Sequence, residues 1–96
     1  MIASFSDAMS KDLFRLVISA KVRRFPAEVR KRARNKLYIL DAATSLADLK
    51  AVPGNHFEAL VGDLAGYYSI RINDQWRVVF KWEENNAREV RIADYH

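Results

Sequence analysis

The chain has 96 residues, with 16 Lys and Arg against 12 Asp and Glu, a net charge of +4, and half of its residues hydrophobic. That apolar content suffices for one core and the length is too short for two, so residues 1–96 read as a single folded domain rather than a disordered polymer. No stretch free of Asp, Glu, Lys and Arg exceeds seven residues, which excludes a membrane-spanning helix of about 20 apolar residues, and the absence of cysteine excludes disulfides, thiolate catalysis and zinc–thiolate sites.

Met1 to Phe5 is a short apolar segment that reads as a strand, and Ser6 or Asp7 after it is suited to accept hydrogen bonds from a helix N-terminus. Met9, Leu13, Leu16 and Val17 then fall on one helical stripe, predicting a helix that frays near Ser19. Pro26 suits the first turn of a second helix, and Glu28 complements its N-terminal dipole. In that helix Val29, Ala33, Leu37 and Leu40 form the buried stripe. Lys31 and Arg34 point away from the stripe, while Arg32 and Lys36 flank it with stems able to lie along the core edge.

The helix is also the most basic part of the chain. Residues 1–36 carry ten basic and three acidic side chains, net +7, so residues 37–96 carry −3, and eight of those ten cations lie between Lys21 and Lys36. Such density suits nucleic acid, an acidic protein partner, or simple solvation of a helix face.

From Ala51 onward the punctuation is Pro53-Gly54-Asn55, Gly62 and Gly66, and the apolar periodicity changes from helical to alternating. Phe57 to Val61 reads as a short strand and Gly62 to Gly66 as a loop. Tyr68, Ile70 and Ile72 alternate with Tyr67, Ser69 and Arg71, and Trp76, Val78, Phe80 and Trp82 alternate with Arg77, Val79 and Lys81. A two-residue loop at Asn73-Asp74 would set Arg71 opposite Trp76 and mix apolar and charged side chains on one face. A three-residue loop, Asn73-Asp74-Gln75, instead pairs Ile72 with Trp76, Ile70 with Val78 and Tyr68 with Phe80 on one face, and Arg71 with Arg77 on the other. Opposed arginines repel unless separately solvated or bridged by an anion, so Arg71 and Arg77 form a candidate phosphate site. A turn over Glu83 to Ala87 and a last strand, Glu89 to Tyr95, complete the chain. Helices followed by strands predict an α+β fold, with two or three N-terminal helices packed on one face of a small antiparallel sheet.

No glycine-rich phosphate loop or nucleophile elbow is present. The two histidines, His56 and His96, stand forty positions apart, and a two-His-one-carboxylate site with Asp94 lacks the local spacing of a metal motif, so neither metal nor cofactor is expected. The ending Asp94-Tyr95-His96 places an acid, a phenol and an imidazole at the end of a strand, and imidazole is suited to general acid or base work near neutral pH.

Four segments, Asp41-Ala42-Ala43-Thr44, Pro53-Gly54-Asn55, the core from Ser69 to Phe80 with its Trp76-Arg77 pair, and Asp94-Tyr95-His96, resemble in order the HigB-type toxins of the RelE-like superfamily. The resemblance runs over nearly the whole chain. It implies a RelE-like α+β toxin of a type II toxin–antitoxin system, a cytoplasmic, ribosome-dependent endoribonuclease that cleaves translated mRNA and is neutralised by a cognate HigA-like helix-turn-helix antitoxin. It further implies metal-free cleavage, in which a base activates the ribose 2′-hydroxyl, cations stabilise the charged phosphorane and an acid protonates the leaving oxygen. Carried over residue by residue, Asp94 and His96 serve catalysis, with His96 the candidate acid. Tyr95 assists by stacking or hydrogen bonding, and Arg77 binds the scissile phosphate. Two positions depart from the pattern: Glu58 stands where a histidine would align, and Val61 where a lysine occurs. Glu58 is a candidate general base if burial raises its pKa, with His56 two positions earlier on the same strand face, or else a surface carboxylate. On this reading Lys31 and Arg34 face ribosomal RNA. The alternative is a non-enzymatic ribosome or RNA binder that blocks translation by occupancy.

Overall fold

The computed structural model of the protein describes residues 1–94, and its first helices begin where the sequence supplies acceptors for their N-terminal amides. Asp7 accepts the Ser10 amide at 2.8 Å and starts α1 (Ala8–Phe14). This helix ends earlier than the apolar stripe suggests. Leu16 adopts a left-handed backbone, φ 63°, its amide donates to Leu13, and the Val17 amide donates to Asp12 at 2.9 Å. That pair of bonds is a Schellman closure, with leucine where glycine is favoured. Leu13 is buried, but Leu16 and Val17 are 61% and 48% exposed, so they leave the expected stripe. Ser19 does not lie at the frayed end of α1; its hydroxyl accepts the Val22 amide and caps α2 (Ala20–Arg24).

Pro26 occupies the cap position of α3 (Ala27–Ala42), one residue before the first turn, and Val29, Ala33, Leu37 and Leu40 are buried as expected. Two of the helix's arginines turn back onto the preceding helices. Arg30 donates to the Arg23 and Phe25 carbonyls at the end of α2, and Arg34 Nε donates to the Leu13 carbonyl at the end of α1, at 3.0 Å. Cations at C-terminal carbonyls satisfy acceptors that the helices leave open. A further helix, α4 (Leu46–Ala51), follows. Ser45 accepts the Asp48 amide while Asp48 accepts the Ser45 amide, a reciprocal capping box.

The sheet has the order β1 (Glu58–Ala59), β2 (Tyr67–Arg71), β3 (Trp76–Glu83), β4 (Asn86–Asp94), with every neighbouring pair antiparallel. β2 and β3 have the expected register, Tyr68 opposite Phe80, Ile70 opposite Val78 and Arg71 opposite Arg77. The three-residue loop is held by Asn73, whose side-chain oxygen accepts the Gln75 and Trp76 amides at 2.9 and 2.8 Å. β1 is shorter than the expected Phe57–Val61, because His56 enters with a left-handed φ of 43° and Val61 is 85% exposed. Between β1 and β2 the Gly62–Gly66 loop contains one 3₁₀ turn, Gly62–Leu64.

β4 starts at Asn86, three residues before the expected Glu89. Glu84 and Asn85, both left-handed, make a two-residue hairpin turn whose twist suits the flanking strands. The extra residue this register requires is accommodated as a bulge near Glu89, φ 51°. The N-terminal segment is not a full strand; it runs parallel to β4 through single bridges, Ile2 with Ala87 and Phe5 with Val90.

The helices cover one face of the sheet. Leu13, Val22, Leu37, Leu40 and Leu49 pack with Ile70, Val78, Phe80, Val90 and Ile92, and Phe25 meets Trp76 edge-on at 4.9 Å. Ser10 accepts the Ile92 amide at 2.9 Å, tying α1 to the strand that ends at Asp94. Among the described residues no helix is long and apolar enough to cross a membrane.

Candidate active site on the sheet face away from the helices

Side chains alternate along a strand, so with Trp76, Val78, Phe80 and Trp82 turned to the helices, Arg77, Val79 and Lys81 face outward. Their partners Ser69 and Arg71 on β2, Glu58 on β1 and Arg91 on β4 share that outer face by register. Arg77 is its centre, only 6% exposed. Its Nε donates to Ser69 Oγ at 2.8 Å, one terminal nitrogen donates to the His56 carbonyl, and the other lies 3.9 Å from Glu58 Oε1. A guanidinium held at three points presents its charge in a fixed direction, which is what recognition of a phosphate or of a developing oxyanion requires.

Arg71 stands opposite Arg77, and its amide donates to the Asn55 carbonyl on the β1 side. The pair is therefore of the kind without hydrogen bonds between the two residues, in which side chains approach most closely. Arg71 turns its guanidinium to Asp74, whose side chain is 98% exposed. The two opposed guanidinium groups are thus each directed by a different carboxylate, Asp74 and Glu58.

The other end of the outer face is electrically matched. Lys81 Nζ lies 3.1 Å from Glu89, and the Tyr67 hydroxyl donates to the same carboxylate at 2.9 Å. Glu89 is held below the usual carboxylate range by hydrogen bonds from Lys81 and Tyr67, and Lys81 is raised by its hydrogen bond to Glu89. The hairpin end holds Arg71 and Arg77 with their carboxylates Asp74 and Glu58, and Arg91 adds a further cation on β4 opposite Val79.

Asp94 ends β4 opposite Trp76, with Ala93 opposite Arg77, so it lies at the same end of the sheet as Arg77 but by the same alternation takes the helix-side face with Trp76, while Ala93 shares the outer face. Asp94 is exposed, and Gln75 Nε2 donates to it at 3.1 Å. Tyr95 and His96, the other two members of the expected C-terminal triad, lie outside the described residues. Glu58 is beside Arg77 as a half-exposed carboxylate, 51% accessible, and lacks the burial that a base role required of it. His56 does not share a strand face with Glu58: its left-handed backbone breaks the alternation, and its carbonyl, not its ring, meets Arg77.

The basic ridge divides in the structure. Lys31 is exposed on α3, but Arg34 does not point outward as expected; it is half-buried on the Leu13 carbonyl. Lys36, assigned only a flanking stem in the sequence reading, reaches Asn55 Oδ1 at 2.7 Å. Its pKa is lowered by burial first and then by the neighbouring charges of Arg32 and Arg71. Asn55 is fully enclosed, donates to the Leu49 carbonyl at 3.0 Å, and accepts the Arg71 amide, joining α3, α4 and β2 at the edge of the site.

Among the described residues no three His, Asp or Glu side chains cluster as metal ligands. A groove of about 490 Å³ runs between the N-terminal segment and α1, lined by Ile2, Phe5, Lys11, Phe14 and Arg15, and none of the residues around Arg77 borders it.

Comparison with known proteins gives the context for this arrangement. Residues 3–96 match the family model described as the RelE-like toxin of the type II toxin–antitoxin system HigB. The chain is 45% identical to Toxin HigB-1 of Vibrio cholerae over 65 residues, 68% of each chain. It is 32% identical to Endoribonuclease HigB of Proteus vulgaris over 97 residues, the full length of both. In fold it is similar to a chain of the YoeB–YefM complex from Staphylococcus aureus, TM-score 0.61 at 20% identity, covering 100% of this chain and 98% of that one. It is also similar to a YafQ mutant from E. coli, TM-score 0.60 at 13% identity, covering 98% of this chain and 93% of that one.

Proposed function

Because the chain belongs to the family of RelE-like toxins of HigB type II toxin–antitoxin systems, we propose that it is an endoribonuclease that cuts mRNA on the ribosome and is silenced by a cognate HigA-like helix-turn-helix antitoxin. The observation that carries this reading is the immobilised Arg77, held by Ser69 and the His56 carbonyl at the end of the sheet where Asp94 emerges. A fixed cation at the end of the sheet where an acidic strand terminates suits phosphodiester cleavage by an internal nucleophile. The ribose 2′-oxygen attacks phosphorus, a base takes its proton, Arg77 stabilises the charge gathering on the phosphoryl oxygens, and an acid protonates the departing 5′-oxygen. Asp94 and His96 are assigned to proton transfer, with His96 the acid, and Tyr95 to stacking or hydrogen bonding. Glu58, half-exposed beside Arg77, does not meet the burial condition for a base and is assigned to orienting the guanidinium, which leaves the base role to Asp94. None of these steps requires a metal. Arg71 and Lys31 are assigned to RNA phosphates, Arg71 next to the scissile bond and Lys31 on the ribosomal side; Arg34, committed to the Leu13 carbonyl, adds charge there only at a distance.

A second reading, occupancy of the ribosome without cutting, is favoured by one feature: Glu58 is solvent-exposed and ion-paired where the base would act. Incubation of purified protein with mRNA separates the two. Cutting that needs ribosomes and is lost in His96→Ala supports the enzyme, while cutting that survives the loss of His96 overturns the assigned chemistry.

A further inference from the structure

Two basic residues from two layers of the fold bond to Asn55, and a third lies beside one of them on α3. Lys36 comes from α3 and places its ammonium 2.7 Å from Asn55 Oδ1. Arg71 comes from the end of β2, its amide bonded to the Asn55 carbonyl. Arg32, one helical turn before Lys36, completes the group, and its charge together with that of Arg71 acts on Lys36. The local carboxylate, Asp74, has a 98% exposed side chain and, among the described residues, pairs with Arg71. An exposed pair of this kind contributes little and is easily exchanged for another anion.

Like charges gathered against a half-buried lysine cost folding free energy, so stability does not account for the arrangement. Asn55 uses one of the three ammonium donors, which leaves two directed elsewhere. The cluster also has a definite place relative to Arg77: Arg71 is its cross-strand neighbour, and the residue after Asn55, His56, supplies the carbonyl that holds it.

We propose that Lys36, Arg32 and Arg71 form a second phosphate subsite, taking the backbone phosphate of the RNA strand next to the one held at Arg77. The inference rests on the reading of the chain as an RNA-cleaving toxin and adds to it where the strand runs: from Arg77 across the end of β2 toward α3. An acidic segment of a protein partner could be drawn to the same charges, but a flexible single strand with regularly spaced phosphates fits cations that follow one another around a sheet edge.

The test is the salt dependence of binding by the full chain, with a short oligouridylate as probe. Each phosphate contact to a single strand contributes about 0.7 to the slope of log K against log salt. Lys36→Gln is expected to lower that slope by about 0.7, and Lys36→Gln with Arg32→Gln by about 1.4. Lys11→Gln, an exposed cation on α1, serves as the reference and sets the change due to net charge alone. Should Lys36→Gln disturb Asn55 and fail to fold, Arg32→Gln decides by itself, since its side chain lies on the exposed surface of α3. Slopes equal to the Lys11→Gln reference overturn the subsite, as does a loss of antitoxin affinity with the oligouridylate slope unchanged, which assigns the cluster to a protein partner. Because the readout is binding, a protein that never cuts mRNA yet shows the slope change retains the subsite and loses the enzymatic reading. One that cuts on ribosomes with an unchanged slope loses the subsite only.

Discussion

The Arg77 guanidinium donates to the main-chain carbonyl of His56, a residue held in the left-handed region at φ 43°. The turn from Pro53 to His56 thus offers two consecutive carbonyls to the sheet, Asn55 to the Arg71 amide and His56 to Arg77. Backbone conformation, not the imidazole, makes this contact. His56→Gly adopts the same φ without a Cβ, and its greater freedom in the unfolded chain offsets the relief, so stability is expected within about 1 kcal/mol of the parent with cleavage retained. His56→Val, stiff and strained at positive φ, is expected to lose about 1–2 kcal/mol, and cleavage with it. Urea unfolding and cleavage of both variants check this, and a catalytically dead but fully folded His56→Gly would give the ring a role that the geometry does not.

Replacing Arg77 by lysine keeps the charge and removes the fork. Lysine cannot satisfy buried Ser69, the His56 carbonyl and Glu58 together, so stability is expected to fall by about 1–3 kcal/mol. If the oriented guanidinium stabilises the phosphorane, cleavage falls on the order of 10²- to 10³-fold at temperatures where the variant remains folded. Wild-type rates from folded Arg77→Lys would mean that charge alone suffices.

Leu16 closes α1 in a position that favours glycine, with its side chain 61% exposed. Leu16→Gly relieves the left-handed penalty and loses little buried surface, so a gain of about 0.5–1 kcal/mol in urea unfolding is expected. A loss of stability would show that the exposed leucine packs in solution. The same substitution is a probe of partner docking, since Leu16, Val17 and Ile18 form a continuous exposed apolar run.

Asp48 accepts hydrogen bonds from the Thr44 amide, the Thr44 hydroxyl and the Ser45 amide, and these hold its carboxyl below the usual range. With the folded pKa depressed, the contribution to stability is complete above the unfolded value of about 3.9 and disappears as pH falls through the folded one. Stability measured against pH is expected to decline in that acid window for the parent, with a shallower decline for Asp48→Asn. Parallel curves would place the acid sensitivity elsewhere.

What could be read in the chain before its structure depended on whether the cause was local. The Arg71–Arg77 opposition followed from period-two alternation and one loop length, and the α3 stripe from 3.6-residue spacing. α4 carried a readable signal, the Ser45–Asp48 capping box, but only six residues and one buried leucine. The ridge was misjudged because Arg34 faces wherever α1 stops, and α1 stops at a left-handed leucine that no propensity favours. Lys36 joined the site for a similar reason: its reach to Asn55 depends on how α3 crosses the sheet edge, a tertiary relation that residue spacing does not encode. The bulge near Glu89 and the left-handed His56 set which groups face Arg77 and Lys81, and neither residue type announces such a backbone.

Mapping mRNA 5′ ends after brief expression of the protein and of Asp94→Asn decides whether the chain cuts message through Asp94. New 5′ ends at defined codon positions are expected with the parent and are lost in the folded variant. Slowed translation over intact message with the parent, or the same new ends in Asp94→Asn, would overturn the enzymatic reading.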